Sequence, residues 1–536
     1  MIQSAQAGHN RIDFLIIGSG FGGSVSALRL AEKGYSVLIL EKGKRWSDHD
    51  HPTTNLQFWK YIWAPFLRSF GILQISVLKD LMVLHGVGVG GGSLGYANVL
   101  EIPSDDTFAS NAWNKPINWG KVLSPFYPIA QQMLGAAITP RLWKADQILK
   151  EIAQSLGTES TFRPTMTGIY FGEPGEISTD PYFSGDGPTR TGCTFCGACM
   201  VGCRQGAKNT LSKNYLHFAE RFGAKIEPEM RVLKVQPWVE GGYKITAHSS
   251  TSPFKPQKTY FAKNVIFAGG VMGTVPLLLN LREDSTALPK LSARLGENVR
   301  TNSEALLGSL ARTTEIDFSE GVAISSIMNI NPETRVEPVR YPKGSGLMRM
   351  ISAPLISLDS GFWMRLHRSI KWILSHPIDA TRAFLLPRWA QKVTILLVMQ
   401  NVDNRMKFTL AKKFPFFWKK RLVTENNSSH RINPQVPGSH LLTRSFSDRT
   451  NGIPLGSLGE NLLNLPTTAH ILGGVPIGNL DETGVVDDQL RVHNYPGLYV
   501  IDGSVMPGNP GVNPSLTITA IAEYAMSFIP AKGNNQ

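Results

Sequence analysis

Between Asp13 and Gly43 the chain reads DFLIIGSGFGGSVSALRLAEKGYSVLILEKG. The apolar run Phe14 to Ile17 predicts a buried strand, the spacing of Val25, Leu28, Leu30 and Ala31 a helix, and Ser36 to Leu40 a second strand. At the first strand-to-helix turn stands G-x-G-x-x-G. Gly18 permits the tight turn, Gly20 lets a pyrophosphate come close to the backbone, and Gly23 lets helix and strand pack tightly, with Phe21 and Gly22 between them. The helix N-terminus then offers unpaired N–H groups to the phosphates. Glu41, 18 residues past Gly23, stands where a carboxylate accepts the ribose hydroxyls of an adenosine. These features define a βαβ dinucleotide site, equally suited to NAD and FAD.

A chain of 536 residues exceeds the size at which single cores stop growing, so two domains are expected. With 42% hydrophobic and 18% charged residues, and no repeat or low-complexity segment, it reads as a globular enzyme. The N-terminal MIQSAQAGHN carries no basic region followed by an apolar one, so export is not expected. No apolar run reaches the roughly 18 residues needed to cross a bilayer. The expected location is the cytoplasm.

The net charge of +13 is unevenly spread: residues 361–422 hold 13 Lys and Arg against two Asp, a net +11. Phe362, Trp363, Trp372, Phe384, Trp389, Phe408, Phe414, Phe416, Phe417 and Trp418 are interleaved with these charges. Phe362, Trp363, Leu366, Ile370, Ile373 and Leu374 would share one helical face, with Arg365, Arg368 and Lys371 off it. A basic amphipathic helix of this kind suits an anionic membrane surface, here the inner face of the membrane. A solvated face over a core helix explains the same pattern. Nucleic acid is not the expected partner, because no recognised binding module accompanies the charges.

Leu56 to Leu84 is dense in Phe, Trp, Ile and Leu and is broken by Pro65 and Gly71, a composition suited to lining or covering a lipophilic pocket. Five glycines then fall within Gly86 to Gly92, which suggests backbone pressed against a ligand and makes Gly90, Gly91, Ser93 and Asn98 cofactor-contact candidates. The chain's only cysteines, Cys193, Cys196, Cys199 and Cys203, are spaced C-x2-C-x2-C-x3-C. This is a ferredoxin-like spacing with Arg204 in place of the usual Pro. A [4Fe-4S] cluster, four-thiolate zinc and plain reduced thiols all remain open, and disulfides less so. Ala224 to Pro237 predicts a strand from which Val232 would meet an adenine, and Asn264-VIFAGGVMGTVPLLLNL a further strand, glycine turn and helix. Near the C-terminus a strand, Leu498 to Ile501, ends on Asp502-Gly503, and Asn513-Pro514-Ser515 opens a helix whose N-terminus suits an anion.

Four stretches, GSGFGG with EKG, GVGGGSL at Gly88 to Leu94, AHILGG at Ala469 to Gly474, and GLYVIDGSVMPGNPGVNPSLTITAIAEYAM, resemble the glucose-methanol-choline (GMC) oxidoreductases. The cysteine run followed by GAKNTLSKNYL, with SLGYANVLEIP, is similar to the bacterial cholesterol-oxidase-like branch. The resemblance implies an α/β fold: a Rossmann-like FAD-binding domain from residues 10–110, 204–310 and 462–536, and an α+β substrate domain with a large sheet from 111–203 and 311–461. It implies noncovalent FAD and hydride transfer from a primary or secondary alcohol of a lipophilic, sterol-like or long-chain, substrate. His470 would be the active-site base and Asn513 the donor to the substrate oxygen; Asp502, Gly503, Asn513 and Pro514 would also face the flavin. The branch implies a substrate-side carboxylate, for which Glu337 in TRVEPVRYP is the candidate. Oxygen or an electron-acceptor protein would take the electrons. A nonredox lyase with structural flavin, and a metal-cluster electron-transfer or membrane scaffold protein, are the competing readings.

Overall fold

The computed structural model describes residues 11–313, 315–356, 361–385, 387–413, 416–426 and 432–533, without the side chains of 413 and 416–419. The N-terminal MIQSAQAGHN, Phe414, and the side chains of Phe416, Phe417 and Trp418 from the basic aromatic region therefore lie outside the described residues.

The chain opens with β1 (Ile12–Ile17), α1 (Phe21–Glu32) and β2 (Val37–Leu40). Far along the sequence follow β3 (Lys225–Glu227), β4 (Met230–Pro237), β5 (Tyr243–Ser249), β6 (Gln257–Phe267) and α2 (Val271–Glu283). A second set comprises β7 (Ala305–Ala311), β8 (Ser326–Asn331), β9 (Thr334–Val339), the helices α3 (Phe362–Ser375) and α4 (Pro377–Phe384), β10 (Val393–Gln400) and β11 (Gly452–Ser457). β12 (Leu498–Val500) and α5 (Ser515–Ser527) close the chain.

β3, β2, β1, β6, β5 and β4 form the first sheet in that order, with β12 also paired to β6. β3, β2, β1, β6 and β12 run parallel, whereas β4, β5 and the first half of β6 form an antiparallel meander. β6 serves both parts. Gln257 to Ala262 pair with β5, and Val265 to Phe267 lie between β1 and β12. A parallel sheet is covered on both faces, which is why Phe14 to Ile17 are apolar without alternation. Leu15 and Ile16 are fully buried, each contributing roughly 1.5–3 kcal/mol relative to exposure. The strand expected over Ala224 to Pro237 is two strands, β3 and β4, because Glu229 turns between them at φ +59°. Within GAKNTLSKNYLHFAERFG the α-helix spans Tyr215–Arg221.

The second sheet is antiparallel, with Ser352–Pro354, β11, β7, β10, β9, β8 and Arg163–Pro164 in order. β7 thus belongs to this sheet, although the expected nucleotide segment 204–310 runs into it. Alternation gives the sheet two faces. Ala305, Leu307, Val336, Leu396 and Val398 pack with the helices Lys144–Leu156 and Ser439–Arg449. On the other face Leu306, Val339, Leu397 and Met399 join Val99 and Ile324, and Glu337 stands across from Leu397 in register.

Candidate active site

Two glycine loops meet at the end of β1. Gly18 has φ +102°, and a Cβ there would lie 2.5 Å from the Ala268 carbonyl oxygen; one on Gly22 would lie 1.8 Å from the Ile501 oxygen, and one on Gly23 2.1 Å from the Gly18 oxygen. These glycines are where backbone crosses backbone. Gly20 differs: its Cβ would meet nothing within 4 Å, so the loop faces open space there. Gly91, at φ +54°, lies against Gly20, and the Gly90 N–H donates to Ser19 Oγ at 3.1 Å. Glu41 is buried; its Oε2 accepts from Ser19 N (3.1 Å) and Oγ (2.8 Å) and its Oε1 from Gly43 N (2.9 Å). Ser93 Oγ donates to Gly90 O and accepts from Leu211 N. Phe21 packs edge-on against Tyr96, and Val232 is buried on β4.

Asn98 is fully buried in the left-handed region, at φ +68°, and neither end of its amide has a partner. A buried amide left unpaired costs about 1–3 kcal/mol, so this one marks a place where a polar ligand belongs. Asp502, at the end of β12, accepts from Ser504 N and Oγ through one oxygen and from Gly270 N and Thr274 Oγ1 through the other. It ties the α2 turn to the C-terminal loop, and burial raises its carboxyl above the ordinary value. Gly503 O accepts from Gly473 N at 2.9 Å. Pro514 caps α5 instead of forming its first turn. The open space at Gly20, the unpaired amide of Asn98 and the loop around Glu41 fit a dinucleotide flavin, which these residues would hold.

His470 follows the strand Thr467–Thr468, which runs parallel to Met82–Gly86, the strand that feeds the second glycine loop. The apolar Leu56 to Leu84 segment therefore ends beside the histidine. Its backbone N–H donates to Thr468 Oγ1, and its Nδ1 is in close hydrogen-bond contact with Oε1 of Glu304, a fully buried carboxylate whose Oε2 accepts from Ala469 N. Nε2 is the ring nitrogen that Glu304 leaves open. Glu304 ends a segment, Thr301-Asn-Ser-Glu, in which Asn302 and Ser303 take φ of +57° and +45°. Asn302 bonds Asn509 Oδ1, Gly511 N and Val512 O and so fixes the loop leading to Asn513.

Asn513 Nδ2 donates to Glu337 Oε2 at 3.3 Å, and Asn513 Oδ1 and Glu337 Oε1 have no partner. Burial pushes the Glu337 carboxyl up to about 8; the Asn513 bond and Arg335 oppose this, and Glu101 and Glu304 add to it. Glu460 is likewise raised by burial, accepts from Leu306 N, and feels Glu304. Glu304, which holds His470, thus lies close enough to Glu337, which holds Asn513, to act on its charge. Glu304, Glu460 and Asn302 belong to no motif, and only the structure brings them here.

The cysteines do not form a coordination shell. All four are free: Cys193 is buried, Cys196 exposed, and Cys199 and Cys203 half-buried around a small apolar cavity. Among the described residues, no three Cys, His, Asp or Glu side chains are arranged to hold a metal ion. Burial pushes the Cys199 thiol up to about 12, so by itself it stays protonated near neutral pH. As placed, these residues do not fit an iron–sulfur cluster or zinc. Phe195, Gly197 and Gly202, all with positive φ, turn the backbone of the segment between and beside the cysteines. What the segment does is brace the site: the buried Lys208 ammonium donates to Cys199 O (2.7 Å) and to Leu94 O and Tyr96 O (both 2.9 Å).

Models of GMC oxidoreductases match residues 189–299 and 458–522, and that of an NAD(P)-binding Rossmann-like domain matches 16–49. A cholesterol oxidase of Mycobacterium tuberculosis is 42% identical over 97% of this chain and 91% of its own, and one of Acinetobacter baumannii 40% identical over 97% and 94%. A long-chain-alcohol oxidase of Arabidopsis thaliana is 24% identical over 96% and 67%. Pyridoxine 4-oxidase from Mesorbium loti shares the fold, with a TM-score of 0.60 at 15% identity over 97% of this chain and 99% of its own. The chain belongs to the GMC oxidoreductase family, in its cholesterol-oxidase-like branch, and is an FAD-dependent oxidoreductase.

Proposed function

We propose that the protein oxidises a lipophilic alcohol, sterol-like or long-chain, and passes the electrons to oxygen. The observation that carries this reading is the setting of His470 and Asn513, each held by a buried carboxylate, Glu304 and Glu337, with Glu337 on the sheet face that also carries Val339, Leu397 and Met399. The names of the relatives, cholesterol oxidase and long-chain-alcohol oxidase, point the same way. FAD, when bound, supplies the acceptor for hydride from the carbinol carbon. His470 takes the hydroxyl proton at Nε2, since Nδ1 is engaged by Glu304, and an imidazole suits that task near neutral pH. The second Nδ2 hydrogen of Asn513 holds the substrate oxygen. Glu337, largely protonated near neutral pH, sits beside that oxygen without adding a charge.

In this reading the first sheet and its loops carry noncovalent FAD, the second sheet roofs the substrate, and the protein works in the cytoplasm. Anaerobic addition of cholesterol and of a long-chain primary alcohol, separately, tests it. Bleaching of the flavin by either, with peroxide formed once air is admitted, is the expected result. A flavin that stays oxidised with both would overturn it in favour of nonredox chemistry.

A further inference from the structure

Amphipathic helices ordinarily turn their apolar stripe inward. α3 does the reverse: Arg365 and Ser369 are its buried residues, whereas Trp363, Ile370 and Leu374 are 78%, 47% and 74% exposed. These three recur at i, i+7 and i+11 and share one face. α4 packs against α3 and adds Ile378, 67% exposed, with Leu385 after it at 73%. A continuous apolar strip of this kind marks an interaction surface more than scattered side chains do.

The charge around the strip is of one sign. Residues 361–378 contain no Asp or Glu, and Arg368 and Lys371 are on the helix beside the buried Arg365. Asp379, the first acid, is engaged by Arg312 and Arg382. Residues 361–422, to which both helices belong, carry +11 of the chain's net +13. α3 also contacts the turn Gly459–Leu463, which carries Glu460 and lies next to the Glu304–His470 pair.

We infer that the α3–α4 face docks on an anionic lipid bilayer, its aromatic and aliphatic side chains entering the headgroup boundary while the cations meet lipid phosphates. Docked in this way, the protein keeps its site next to the phase in which a lipophilic alcohol resides; that clause rests on the proposed function, and the docking does not.

The test is flotation of the full flavin-loaded chain with phosphatidylcholine vesicles, with and without ~30 mol% phosphatidylglycerol. The wild type should float with the anionic vesicles and lose them at high salt. A W363S/I370S/L374S variant, altered only at exposed positions, should lose about tenfold or more of the bound fraction, with its turnover of detergent-dispersed alcohol unchanged. Wild type that stays out of anionic vesicles, or a variant that binds them equally, would overturn the proposal. So would a wild-type dimer that ignores vesicles and that the variant abolishes, since a second copy of the chain would then be the occupant. If no alcohol is turned over while the wild type still floats, the functional reading fails and the docking surface stands.

Discussion

Glu304 Oε1 grips His470 Nδ1 although 166 residues separate them, and its other oxygen holds the Ala469 N–H, so one carboxylate sets both the ring and the backbone of the histidine. A ring held at Nδ1 has a defined tautomer and a defined direction for Nε2. Glu304→Gln should lower kcat/KM about 10- to 100-fold, and His470→Ala about 10²- to 10⁴-fold. The double variant should be no worse than His470→Ala alone, because Glu304 acts through the ring. Steady-state kinetics of the four proteins decide it, and additive losses would show that the carboxylate acts independently.

Gly20 and Gly22 are two residues apart and should fail in opposite ways. Gly20 has φ −72° and nothing within 4 Å of a would-be Cβ, so Gly20→Ala should fold with a melting temperature near that of the flavin-free wild type and bind FAD at least about tenfold more weakly. Gly22→Ala drives a methyl into the Ile501 carbonyl and should give little folded protein. Thermal melts and flavin titrations separate the two.

Glu337 makes stability depend on pH. Its carboxyl sits at about 8 in the fold against an ordinary 4.5, so between those values the folded chain binds more protons than the unfolded chain. The stability this group contributes is present at low pH and is lost as pH rises through that window, at up to about 1.4 kcal/mol per pH unit. Glu337→Gln removes the term. Flavin-free variant should lose less melting temperature than wild type between about pH 5 and pH 8; parallel curves would show that Glu337 is already ionised.

Cys196 is exposed and Cys193 buried, with burial raising the Cys193 thiol further. A thiol-reactive dye should therefore label Cys196 first. Cys196→Ser should remove the fast phase and leave flavin content unchanged. Persistence of that phase would place the exposed thiol elsewhere.

What the sequence made legible was local. The βαβ unit at Asp13 to Gly43 declares itself through spacing within a few turns of chain, and AHILGG and the C-terminal loop through resemblance. Glu304 was illegible because a buried carboxylate becomes a partner only when the second sheet carries it across 166 residues to a histidine. Periodicity revealed α3 but not which face turns outward, since that depends on what packs beneath Arg365 and Ser369. The cysteine spacing suggested a ligand set, but spacing does not show that Cys196 is exposed while Cys193 is buried, nor that Lys208 fastens the Cys199 carbonyl.

The pairing of β12 with β6 has a bearing on biosynthesis. The strand that completes the parallel sheet, Leu498–Val500, leaves the ribosome after every other strand of that sheet. Until then β6 has an open edge, and Val265, Ile266 and Phe267, fully buried in the finished protein, lack their outer neighbour. Long-range pairings of this kind fold slowly and leave nascent chains prone to aggregation. Translation must therefore pass Val500 before the parallel sheet beneath the nucleotide loops is complete, and a chain stopped short of Leu498 would emerge with that edge of β6 unpaired.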